Sequence, residues 1–127
     1  DDTAAFQGQW QNTLAEEAGK RLTPAEQRQA NRTLFIKGDN LRMERVKDGK
    51  FGKHEGTFRI DPDKHHFDLD EPSGLMWVGI YELKGDTLKL CYRIYARGKP
   101  PTPRPTEFKS SGEKPASFNY EYKRVTK

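Results

Sequence analysis

The sequence predicts an all-β protein: an antiparallel up-and-down barrel of about eight strands, with one short helix after the first strand. Three observations predict it. Short runs alternate between apolar and polar residues, the period of a strand with one buried face. Glycine and aspartate turns recur between those runs, and no helical crossover follows the early helix, so successive strands pair as hairpins. Closure into a barrel removes exposed edges. Eight strands suit an interior that is filled by side chains or holds one small ligand. At 127 residues the chain forms one domain over 1–127.

Taken in order, residues 6–15 (FQGQWQNTLA) read as the first strand, with Phe6, Gly8 and Trp10 on one side. Thr23, Pro24 and Glu26 in LTPAEQRQANR form a helix start: an N-cap, a proline at the first helical position, and the acid that completes a capping box. That helix is expected to be short and mostly solvated. The stretch from Arg32 to Ile60 holds three strands joined by the turns KGDN and KDGK, and DPDK turns into a short HHFDLD strand. The hairpin LMWVGIYELKGDTLKLCYRIY follows. Pairing Leu83 with Leu88 places Tyr81 opposite Leu90 and Trp77 opposite Ile94. Its other face carries Met76, Val78, Ile80 and Cys91, so a cover is expected on both sides. The long segment ARGKPPTPRPTEFKSSGEKPA contains Pro100, Pro101, Pro103 and Pro105, which forbid helix and central strand, and reads as a stiff surface loop. In SFNYEYKRV, Phe118, Tyr120, Tyr122 and Arg124 share one face.

Composition excludes several classes. Lysine and arginine number 23 against 19 acidic residues, a net charge of +4. The two signs are interspersed along the chain, so no nucleic-acid partner is expected. No run approaches the ~18 apolar residues of a bilayer span, so no transmembrane segment is expected. Without a basic-then-apolar leader, the chain is expected to be cytoplasmic or a mature form whose leader has been removed. Cys91, the single cysteine, excludes an internal disulfide and a cysteine zinc site, and reads as a small core filler.

The stretches FQGQW, EGTFRIDPDK, GIYELKGDTLKLC and GKPPTPRPTEF, in this order, resemble an uncharacterised planctomycete-type lipocalin-like (calycin) domain family. In such barrels a Gly-x-Trp on the first strand plugs one end, and an arginine on the last strand lies across the indole. The resemblance implies that Gly8, Trp10 and Arg124 close the barrel, and that the protein is secreted or belongs to the periplasm or cell envelope. YRIYAR, between Cys91 and the Gly-Lys-Pro segment, departs from the pattern and lengthens the hairpin strand or the loop mouth.

Reactive constellations are sparse. His65 and His66 are adjacent and so point to opposite faces of a strand, while His54 lies on the strand before; no metal and no cofactor is expected. The five acids of DPDKHHFDLDEPSG lack calcium-loop spacing and read as turn formers. No serine elbow, phosphate loop or marked carboxylate pair appears, so an enzyme ranks last. The interior candidates are Phe35, Met43, Phe58, Trp77, Tyr81, Tyr92, Tyr120 and Tyr122, which could line a pocket or fill a core. The expected function is a non-enzymatic barrel that binds a small apolar or amphipathic ligand, its head held by tyrosine hydroxyls or an inward arginine. The alternative is an interaction module with a filled core and a proline-rich contact loop at residues 97–108.

Overall fold

The alternation and the turns produce a closed barrel, seen in a computed structural model that describes residues 2–113 and 116–125. Lys114 and Pro115 of the expected long loop lie outside the described residues. In chain order the elements are α1 (Asp2–Phe6), β1 (Gly8–Glu17), β2 (Lys20–Arg21), α2 (Pro24–Ala30), β3 (Thr33–Lys37), β4 (Asn40–Lys47), β5 (Lys50–Asp61), β6 (His66–Asp70), β7 (Leu75–Lys84), β8 (Thr87–Ala96) and β9 (Ser117–Arg124). Each strand from β3 to β9 pairs antiparallel with the next, and β9 returns to β1. The closed up-and-down barrel expected from the sequence is therefore present: eight staves closed on themselves, with the two-residue β2 appended to the end of β1. In β7–β8, Leu83 faces Leu88, Tyr81 faces Leu90 and Trp77 faces Ile94, the pairing that alternation predicts.

One end of the barrel is sealed. Trp10 is fully buried opposite Leu34 and Arg124, and the Arg124 guanidinium carbon lies 4.3 Å from the centre of its ring. All three nitrogens of that guanidinium donate hydrogen bonds: Nη1 to the Gln7 carbonyl, Nη2 to the Ala5 carbonyl at 2.7 Å, and Nε to Asp86 at 3.1 Å. Gly8 has φ +119°, a conformation side chains rarely adopt, and a β-carbon there would sit 3.3 Å from Arg124 Nη1. The Gly-x-Trp pattern is thus a close backbone approach beside a plug.

Phe6 does not continue the first strand. It ends α1, where its carbonyl accepts the Trp10 indole N–H at 2.9 Å and its ring stacks on Phe58 at 5.6 Å. Tyr81 meets Phe6 edge-on at 5.0 Å and donates its hydroxyl to Asp2 at 2.6 Å. With Phe67, Leu34, Leu41, Leu69, Leu88 and Leu90, these side chains fill the sealed half.

α2 keeps its predicted cap. The Thr23 hydroxyl accepts from Glu26 N at 3.1 Å, the Glu26 carboxylate accepts from Thr23 N at 2.8 Å, and no residue of the helix is buried. The proline-rich segment lies along the outside of β6 to β8. Arg104 Nη1 donates to the Gly79 carbonyl at 2.7 Å and pairs with Asp68 at 3.1 Å, while Arg93 reaches the Pro103 carbonyl at 2.9 Å. Val78 and Cys91 are buried beneath this strap, and Pro105 of the strap is itself buried, which accounts for the apolar second face of the hairpin. At Gly79 a β-carbon would come within 2.4 Å of the Cys91 carbonyl, so the close approach of β7 to β8 there requires glycine.

Replacing Arg124 by alanine removes the ring contact and these hydrogen bonds together. The expected loss is about 2–4 kcal/mol of unfolding free energy in urea, with the denaturant slope unchanged. A change within ~0.5 kcal/mol, the range of an ordinary surface substitution, would show that the seal contributes nothing.

Candidate functional site

The other end is built differently. Following the register upward from Trp10, the inward positions of β1 reach Asn12, then Ala15 and Glu17 after an irregularity between Asn12 and Leu14. On β3 Leu34 and Ile36 take the inward positions, and the same parity carries the preceding Arg32 inside. Its backbone leaves α2 through Asn31, which caps the helix in the left-handed conformation at φ 44°.

Arg32 is only 3% exposed. Its Nη2 donates to Glu17 Oε2 at 3.0 Å, and the guanidinium carbon stands 4.2 Å from the centre of the Tyr120 ring. The Tyr120 hydroxyl donates to the same Glu17 oxygen at 2.6 Å. Burial works against the guanidinium's charge, but Tyr120, Tyr122, Tyr92 and Glu17 outweigh it and push its pKa above the ordinary value. Nε and Nη1 of Arg32 are buried and have no hydrogen-bond partner.

A second polar group stands on β5 and β6. The inward parity of β6 runs Phe67, Leu69 and on to Glu71, which is 4% exposed. The Trp77 indole donates to Glu71 Oε2 at 2.7 Å, and His54 Nδ1 lies 3.1 Å from both carboxylate oxygens. The Trp77 ring stacks on Tyr92 with centroids 4.3 Å apart and planes 8° off parallel.

Between these groups lies a cavity of about 240 Å³. Met43, Trp77, Tyr92, Ile94 and Phe118 supply its apolar walls, Arg32, Glu17 and His54 its inner polar points, and Arg45 and Lys47 line it as well, with Ala30 and Val46 part of its rim. Its volume falls just under the ~300–1,000 Å³ usual for ligand pockets.

Among the interior candidates, Met43, Trp77, Tyr92 and Tyr120 line this cavity. Phe58, Tyr81 and Tyr122 are buried but do not border it; they belong to the packed core. Phe35 is a correction. Leu34 and Ile36 occupy the inward positions of β3, so Phe35 projects outward, where the Arg42 guanidinium lies 4.5 Å from its ring centre. Gly8, Trp10 and Arg124 meet at the sealed end, away from the cavity. His65 and His66 stand at the β5–β6 turn, far along the barrel from His54. Among the described residues, no three His, Cys, Asp or Glu side chains gather into a metal-binding group. Arg32, Glu17 and Glu71 were not singled out from the sequence, although parity with Leu34 and Leu69 marks two of them as inward.

No protein-family model matches this chain, and no curated protein sequence matches it. The class defined by fold and site is therefore a closed antiparallel barrel, packed at one end and hollow at the other.

The buried tyrosines make the barrel sensitive to alkali. Burial raises the pKa of Tyr92, Tyr120 and Tyr122, and burial with the Asp2 hydrogen bond raises that of Tyr81. A phenol ionises near pH ~10 when unfolded. The resulting stability is full below that pH and is lost as pH rises from there towards the folded-state values. Phenolate absorbance of these four is expected to appear only together with loss of the circular-dichroism signal. Reversible titration of all four near pH ~10, with the fold intact, would contradict the burial described.

Proposed function

We propose that the protein is a binding barrel for a small amphipathic anion, with a flat apolar body and one negatively charged head. The observation that carries this reading is Arg32, which lines the cavity while Nε and Nη1 find no acceptor in the protein. A buried donor left without a partner costs about 1–3 kcal/mol. An anion, or ordered water in its absence, supplies what the fold leaves out. The stacked Trp77 and Tyr92 rings, with Phe118 beside Tyr92 at 5.8 Å, offer a wall suited to a planar group.

Volume narrows the class. A space of about 240 Å³ accommodates a ring-sized or short-chain acid and is too small for the full tail of a long-chain fatty acid. The same charge argument favours a carboxylate or another planar anion, which meets a guanidinium through parallel hydrogen bonds. The resemblance noted in the sequence supports a barrel of this build and assigns it no ligand.

Calorimetric titration with phenylacetate and its neutral counterpart phenylacetamide tests the reading without altering the protein. The expected result is saturable one-site binding of the acid, with the amide at least tenfold weaker, and loss of that preference in Arg32→Gln. Equal binding of acid and amide, or binding of neither by phenylacetate, naphthoate and octanoate alike, would overturn it.

A further inference from the structure

The β4–β5 hairpin beside the cavity mouth carries a surface that the interior does not explain. Phe51 is 66% exposed, the larger of the two exposed large hydrophobics among the described residues. It stands across from Val46, which borders the cavity, with Lys47 opposite Lys50 one step nearer the tip. Residues 45–53 contain Arg45, Lys47, Lys50 and Lys53 against Asp48 alone, a net +3 out of the whole chain's +4. Lys53 is 4.0 Å from Glu55, and Glu44 is engaged by Arg42 at 2.8 Å. The hairpin carries these cations to one end of the molecule.

We propose that this hairpin tip docks the barrel onto an anionic lipid bilayer surface, with Phe51 entering the interface and the lysines facing the headgroups. Two features point to a bilayer. An exposed aromatic ring on a tip has no groove to fill on its own protein, and a ring flanked by lysines fits an interface that is apolar below and negative above. Each cation near such a surface strengthens attachment about fivefold, so three lysines and one ring give reversible attachment that weakens with salt. Docking there also presents the cavity rim to the bilayer, the source from which an amphipathic acid would enter. Attachment to the surface does not require the cavity to be occupied, so it stands or falls separately from the ligand.

The test uses the full chain and sonicated vesicles of phosphatidylcholine with or without phosphatidylglycerol. Cosedimentation is expected with the phosphatidylglycerol vesicles at low salt, decreasing as salt rises, and not with phosphatidylcholine alone. Lys47→Gln and Lys50→Gln are each expected to weaken binding about fivefold. Phe51→Ser is expected to weaken it about tenfold. The native tryptophans are buried, so Phe51→Trp supplies a reporter whose emission should shift to shorter wavelength on vesicle binding. The proposal is overturned if the native chain does not sediment with anionic vesicles at low salt. It is equally overturned if the serine and glutamine variants bind as the native chain does, or if heparin reproduces the emission shift in Phe51→Trp.

Discussion

The position at which the last strand meets the first governs the rest of the molecule. Trp10 pairs with Arg124, so the register of the closing seam and the plug of the sealed end are one interaction. A slip of one residue would turn Tyr120 and Tyr122 to solvent and bring Asn119 and Glu121 inside, because strand side chains alternate with period two. Fixing that seam at its lower end therefore fixes which residues of β9 look into the barrel at its upper end. Tyr120 reaches Glu17, and through it Arg32, only in this register.

The two halves of the interior follow from what each strand contributes. The sealed half receives Phe6, Phe58, Phe67 and Tyr81 with a ring of leucines, and these volumes close the space. The open half receives Glu17, Arg32, His54 and Glu71 at positions where the same parity would place apolar residues. Charged side chains hold one another at hydrogen-bond distance and do not interdigitate as a hydrocarbon core does, so space remains between them. The cavity thus stands where the strands exchange volume for polarity.

Much of this was legible in the sequence, and the misses have physical causes. The β7–β8 register was readable because a tight turn and strict alternation leave one pairing, and α2 was readable because its capping box is local. Phe35 was misread because Leu34, Phe35 and Ile36 form an unbroken apolar run that hides the parity; the outward ring is stabilised by Arg42. Arg32 and Glu71 lie two residues from Leu34 and Leu69, so strict counting would have turned them inward, against the usual expectation that charges at strand ends are solvated. Glu17 was out of reach by counting, because the irregularity between Asn12 and Leu14 shifts the parity of β1. The first strand was begun too early because α1 delivers Phe6 to the core from outside the sheet, which alternation does not encode.

Two arginines in one barrel are held in opposite ways. Arg124 and Arg32 both lie flat over an aromatic ring, at 4.3 and 4.2 Å. Arg124 is a quarter exposed to water, yet every one of its guanidinium nitrogens is bonded by the protein. Arg32 is buried, where an unmatched donor is most costly, yet only Nη2 is bonded. If Arg32 served only to hold β1, β3 and β9 together, an apolar side chain of similar reach would do so without that penalty. Glu17 stands next to it, so the charge has an anchor in the protein, while Nε and Nη1 have no partner within it. Stability has been given up at this place and kept at the other end, and the difference between the two sites is the presence of the cavity.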